Sequence, residues 1–137
     1  MEKTDYSYAA GIIDGEGHIQ ITNKYSVCVK VAMTEEYVPL WLQMGFSGSI
    51  YFKKQQNKKW KRLTQWTITG NNAIIFLRLI LPYLKIKRPQ ADLAIKFIST
   101  KQPTNGNRYN TAEKYLRELQ RQEMAKLNKR GLTLVSD

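Results

Sequence analysis

At Gly17 the hydrophobic period of the chain changes, and that change limits what the first quarter of the sequence can fold into. Upstream, YAAGIIDGEG carries Tyr8, Gly11, Ile12 and Gly15 at the spacing of one helix side, which predicts a short helix over 6–16. Downstream, His18, Gln20 and Thr22 alternate with Ile19 and Ile21. After a turn around Asn23, Lys24 and Tyr25, Val27, Val29, Val31 and Met33 share one face, while Ser26, Cys28, Lys30 and Ala32 share the other. Such alternation belongs to an antiparallel hairpin with one buried face. Glycine in a helix interior costs about 0.5–1 kcal/mol against alanine. Gly11 and Gly15, four residues apart, therefore mark a place where another backbone comes close, from within the chain or from a second copy. Gly17 is free to take unusual dihedrals on leaving the helix.

The same punctuation continues. Thr34, Glu35 and Glu36 form a helix-start signal ahead of EEYVPLWLQMG. A second hairpin follows, SGSIYFKKQQ and WKRLTQWTITG, joined by a turn at residues 56–59. Asn71 or Asn72 is placed to cap a helix whose apolar residues are Ala73, Leu77, Ile80, Leu81 and Leu84, and Pro82 ends or bends it. Pro89 opens a further helix over 89–100. The loop KQPTNGNRYN precedes a charged, amphipathic helix over 111–129. The order is one leading helix, two strand–strand–helix units and extra C-terminal helices, all in a single domain spanning 1–137.

Charge narrows the partners. Twenty-two Lys and Arg against eleven Asp and Glu leave a net +11, which points to a polyanion: nucleic acid or an acidic membrane surface. Six of the ten residues from Lys53 to Arg62 are basic, at the tip of the second hairpin. The longest greasy stretch, AIIFLRLILPYL, is too short to span a bilayer and is interrupted by Arg78 and Pro82. Cys28 is the sole cysteine, which leaves neither a disulfide nor a cysteine zinc site within one chain. An intracellular protein is expected, in a cytoplasm or an organelle, not secreted and not in a membrane.

The acidic pair Asp14 and Glu16 stands at the expected end of the first helix. A helix C-terminus already carries unpaired carbonyls and partial negative charge, so an acid there is unfavourable for stability. Concentrated negative potential suits a hard divalent cation that takes carboxylate and carbonyl oxygens. The alternative is a glycine-rich turn with two solvated acids. One Glu and one carbonyl make an incomplete magnesium site, which DNA phosphates and water would complete.

AAGIIDGEG, residues 9–17, resembles the signature motif of the LAGLIDADG homing endonucleases, with Ala9 in place of the leading leucine. The element order also resembles that family's αββαββα fold over essentially the whole chain. The resemblance implies an α+β protein with a curved, antiparallel four-stranded sheet. It further implies a metal-dependent endonuclease that hydrolyses phosphodiester bonds of double-stranded DNA, a family associated with intron mobility. Glu16 matches the acid that holds a divalent metal, Mg2+ or another such cation, with the Gly15 backbone carbonyl as a second ligand. Asp14 matches an acid with a structural or local hydrogen-bonding role. A single motif implies a homodimer packed through Tyr8, Gly11, Ile12 and Gly15, acting on a long near-palindromic site. LKIKRPQADL resembles the segment carrying a basic residue of the catalytic pocket, and Lys87 matches it best. The alternative is that Lys85, Lys87 and Arg88 form a phosphate-contacting or solvated cluster. Met33 departs from a position that is polar Gln in some members, and its apolar neighbours favour a packing role. The non-cleaving alternative is an RNA-splicing maturase or DNA-binding regulator of the same family, and RNA enters as a partner only there.

With the apolar strand residues buried, the opposite strand face points outward. His18, Gln20, Thr22, Lys24, Ser26 and Lys30 of the first hairpin are expected there. So are Tyr51, Lys53, Lys54, Lys61, Gln65 and Thr67 of the second. Gln, Ser, Thr and His can read base edges in the major groove, and lysines bind phosphate. His18 without a second His or Cys favours base or phosphate contact over a transition-metal site. Trp41, Trp60 and Trp66 are expected in core or rim packing.

Overall fold

Helix α1, Lys3–Glu16, runs directly into strand β1, Gly17–Ile21, with the Gly17 N–H donating to the Ile13 carbonyl. The structure, a computed structural model, describes residues 1–100 and 111–135, with side chains through residue 129. Helix α1 starts earlier than its apolar spacing predicts, because Asp5 reaches back and accepts the Glu2 N–H at 3.0 Å, satisfying an orphan donor of the first turn. Gly17 serves a different purpose from the expected one. Its φ of −85° and ψ of 161° are ordinary extended backbone. A Cβ there would lie 2.7 Å from the Ile13 Cα, so it is the close approach of strand to helix that requires glycine.

Strand β2, Val27–Met33, returns beside β1, and helix α2, Tyr37–Phe46, leads to β3, Ser49–Lys53, and β4, Leu63–Thr69. All pairings are antiparallel and the sheet order is β1-β2-β4-β3, so the two hairpins join through their second strands. Helix α3, Gly70–Ile80, follows β4 at once. Neither Asn71 nor Asn72 caps it: Thr69 holds the cap position, and Gly70 makes the bend at φ 63°. A 3₁₀ turn over Leu81–Tyr83 replaces the last helical turn at Pro82. Helix α4, Arg88–Ser99, begins one residue before Pro89. The loop KQPTNGNRYN lies outside the described residues. Helix α5 spans Thr111–Val135, beyond the expected end at 129.

The helices cover one face of the sheet. Ile19, Val29, Val31, Trp66 and Ile68 from the strands meet Ile13, Leu42, Phe76, Leu77 and Phe97 from the helices, all essentially buried. Burying one such side chain contributes about 1.5–3 kcal/mol, so this layer dominates the folding energy. Trp66 anchors it by donating its Nε1–H to the Ser47 carbonyl at 2.7 Å. Gly48, at φ 100°, lets the chain pass the indole, where a Cβ would lie 2.7 Å from Trp66 Nε1. Helix α5 packs on α4 and on edge strand β1. Arg117, buried beneath it, donates to the Phe97 and Thr100 carbonyls at the end of α4. Asn128 donates to the Ile19 carbonyl at 3.0 Å. Covering β1 in this way protects a sheet edge from pairing with other chains.

Candidate active site and nucleic-acid face

The last turn of α1 meets the segment that carries the chain into α4. Asp14 holds the two together. Its Oδ2 accepts the Lys85 N–H at 2.8 Å, and its Oδ1 accepts those of Ile86 and Lys87 at 3.1 and 2.9 Å. The Lys87 ammonium donates back, to the Ile13 carbonyl at 3.0 Å and the Asp14 carbonyl at 3.1 Å. These acceptors sit at the negative end of the α1 dipole, where a cation is favoured. Lys85 and Arg88 are exposed, while Lys87 is half-buried and turned onto the helix end. Burial pulls the Lys87 pKa below the ordinary lysine value, and the charges of Asp14 and Glu16 act in the opposite sense. The Glu16 charge therefore acts on Lys87, less strongly than that of Asp14.

Glu16 is exposed, and among the described residues its carboxylate has no hydrogen-bond or salt-bridge partner. An acid in the last helical turn, set against the helix dipole with only the Lys87 charge acting on it, is costly for folding and well suited to a cation. The donors fit a hard divalent ion in part: the Glu16 carboxylate, and the Gly15 carbonyl in a turn whose carbonyls run short of donors. Among the described residues no group of three His, Cys, Asp or Glu is placed to hold a metal. Met33 lies on the inner face of β2, in line with Val29 and Val31, and packs against the core. Its side chain joins the core instead of a polar pocket.

Register places the expected outward residues in rows across the sheet. His18 pairs with Lys30, Lys30 with Thr67, and Thr67 with Ser49. Ala32, Gln65 and Tyr51 form the next row, and Gln20, Cys28 and Thr69 a third. Lys53, Lys54 and Lys61 lie exposed at the far end of β3 and in the loop to β4, and Lys24 is exposed at the turn of the first hairpin. Thr22 and Ser26 close that turn, the Ser26 N–H donating to Thr22 Oγ1 at 3.2 Å. Cys28 departs from its exposed neighbours: it is 4 % accessible, with Gln20 and Lys30 against it.

The small-residue side of α1 is open. A Cβ added at Gly11 or Gly15 would meet nothing within 4 Å, so neither glycine is needed for packing among the described residues. Ile12 is half-buried. Tyr8 remains 51 % exposed although its ring meets Trp41 edge-on, with centroids 5.2 Å apart.

Three features escaped the sequence. Ser49 and Thr69 complete the outward rows, which strand parity could have signalled. A groove of about 320 Å3 runs between His18 and Gln20 of β1 and Arg121, Met124 and Asn128 of α5, and no local pattern signals that docking. Trp60 is the exception among the tryptophans: Trp66 is buried and Trp41 half-buried, but Trp60 is 61 % exposed amid the basic loop.

No protein-family model matches the chain, and no curated protein matches it. Solved structures do. The crystal structure of the homing endonuclease I-CvuI in complex with its target, in the presence of 2 mM Ca, superposes with a TM-score of 0.73. Sequence identity is 22 %, over 91 % of this chain and 82 % of that one. A second I-CvuI complex, with the I-CreI target and 2 mM Mg and its DNA not cleaved, gives a TM-score of 0.70 at 21 % identity with the same coverage. The fold is therefore the α+β fold of the homing endonucleases, as the element order predicts. Among the described residues, no helix is long and apolar enough to cross a membrane.

Proposed function

We propose that the protein is a sequence-specific endonuclease that binds double-stranded DNA and hydrolyses its phosphodiester bonds with a divalent metal, acting as a homodimer on a near-palindromic site. The observation that carries this reading is the junction at the end of α1. There an exposed Glu16, its carboxylate without a hydrogen-bond partner among the described residues, and a helix-bound Lys87 stand together where α1 passes into the polar sheet face, in a fold shared with an endonuclease crystallised on DNA. Magnesium, held by Glu16 and the Gly15 carbonyl together with phosphate oxygens, would supply charge stabilisation and an acidified water. Lys87 provides a fixed positive charge for the phosphate as negative charge builds on it. The rows led by His18–Lys30–Thr67 and Gln65–Tyr51 present donors and acceptors to base edges, and Lys24, Lys53, Lys54 and Lys61 meet the backbone. The open Tyr8–Gly11–Ile12–Gly15 side of α1 is the surface through which two copies bring two Glu16 residues to the scissile phosphates.

Selection of cleaved sites from a randomised duplex library with magnesium tests activity, symmetry and specificity together. Glu16→Gln is expected to abolish cleavage of the selected duplex while leaving its Kd within about threefold, because the carboxylate meets metal and not bases. Cleavage that persists in Glu16→Gln would remove Glu16 from this role. Specific binding by the wild-type chain without cleavage would instead favour the non-cleaving alternative.

A further inference from the structure

We infer that Asp14 is a positioning residue for Lys87: it ties the backbone of the lysine to the end of α1, so that Glu16, Gly15 and Lys87 are carried as one unit by that helix. The role assigned to Lys87 rests on the endonuclease reading, and the tie itself rests on geometry.

An aspartate in the last turn of α1 opposes that helix's own dipole. Its location is explained by the other element it touches. Lys87 is the cap residue of α4, so the Asp14 carboxylate sits at the positive end of α4 and accepts three successive N–H groups that precede or open that helix. The unfavourable placement on α1 is offset by α4, 71 to 73 residues away in sequence. In return Lys87 places its ammonium on the α1 carbonyls. The two contacts run in opposite directions across one junction, and each element supplies the charge that the other's end lacks.

Lysine needs such a tie. Its ammonium is a point charge on a flexible four-carbon stem, so its location depends on how firmly its backbone is held. Lys85 and Ile86, just before it, are exposed, with Ile86 at 69 %. Nothing but Asp14 accepts the N–H groups of Lys85, Ile86 and Lys87 among the described residues. Without the carboxylate the backbone of this segment would lose its hydrogen bonds to α1, leaving the flexible Lys87 stem as its polar link to that helix. Displacements near 1 Å can cost on the order of a hundredfold in rate, so a lysine that follows α4 instead of α1 would lose register with Glu16.

The test compares Asp14→Ala, Asp14→Asn, Lys87→Met and Asp14→Ala/Lys87→Met on the selected duplex. Asp14→Ala should slow single-turnover cleavage by about tenfold or more at saturating DNA, with Kd within about twofold. The double variant should be no slower than Lys87→Met, because Asp14 acts only through the lysine. Asp14→Asn should fall between wild type and Asp14→Ala, since its amide oxygen can keep the bonds from Ile86 and Lys87 while losing that from Lys85. It also carries the comparison if Asp14→Ala does not fold. Amide hydrogen exchange at Lys85–Lys87 should accelerate in the Asp14 variants, with the Ile13 amide unchanged. Losses that multiply in the double variant, wild-type cleavage by Asp14→Ala, or unchanged exchange at 85–87 would each overturn the inference. A wild-type chain that cleaves no duplex fails the endonuclease reading instead, and the exchange measurement then decides the tie alone.

Discussion

Cys28 stands in a row of residues that otherwise face solvent, yet it is covered, and burial pushes its thiol pKa up against the opposing effects of Lys30 and the Gln20 hydrogen bond. A folded pKa above the unfolded value means that the neutral thiol is favoured below about pH 9 and that this contribution is lost as pH rises through the folded value. At neutral pH the thiolate, which is the nucleophile, is scarce and shielded. Native protein should therefore resist alkylation by iodoacetamide and react fully in urea; rapid labelling of the native chain would contradict the burial. The division between Asp14 and Glu16 also belongs to single residues. The dipole rule marked both acids as unusual at a helix end, and only the family resemblance singled out Glu16 as the metal ligand. The partners of Asp14 could not be read from the sequence, since no periodicity links residue 14 to residues 85–87. Lys87 could be separated from Lys85 and Arg88 only by resemblance; in the structure its ammonium, unlike theirs, is turned onto the α1 carbonyls.

Elements were legible where one face is buried. Alternation from His18 to Met33 located both strands of the first hairpin, and the rhythm Ala73–Leu77–Ile80–Leu84 located the buried side of α3 and its continuation. Caps and partners were less legible. The first turn of α3 takes its bend from Gly70 instead of a side-chain cap. The order β1-β2-β4-β3 depends on β2 meeting β4, which alternation cannot specify because it marks faces and not neighbours. The two glycines of α1 remain the sharpest signal at this scale. Their Cβ positions are open, so Gly11→Ala should stabilise the isolated chain by about 0.5–1 kcal/mol through helix propensity. If a second α1 packs there, the added methyl should weaken the dimer at the same time. Sedimentation equilibrium and urea unfolding read the two effects separately. A stabilised variant with undiminished self-association would exclude Gly11 from the interface.

Over the whole molecule, the net +11 and the one-sided placement of helices determine how the proposed complex with DNA would form. The core takes up one face of the sheet, leaving the rows of the other face and the exposed basic residues at both hairpin tips for a polyanion. Charge alone left nucleic acid and acidic membrane as rivals, and the arrangement favours the proposed nucleic-acid partner. A membrane surface is served by apolar side chains beneath a cationic rim, whereas the rows here interleave lysine with His, Thr, Ser and Gln. Each phosphate neutralised releases condensed counterions, giving a slope of about −0.9 per contact in log K against log salt. If Lys24, Lys53, Lys54 and Lys61 each meet a phosphate, one chain should show a slope of about −3.6 and a symmetric pair about −7.2. Replacing Lys53 and Lys54 by Gln should reduce the slope of the pair by about 3.6, equally on specific and unrelated duplexes, because these contacts position the protein without reading bases. Replacing Gln65 by Ala should leave the slope unchanged and reduce discrimination between the selected site and its single-base variants. A flat salt dependence, or a Gln65 variant that loses affinity uniformly on all sequences, would contradict docking through this face.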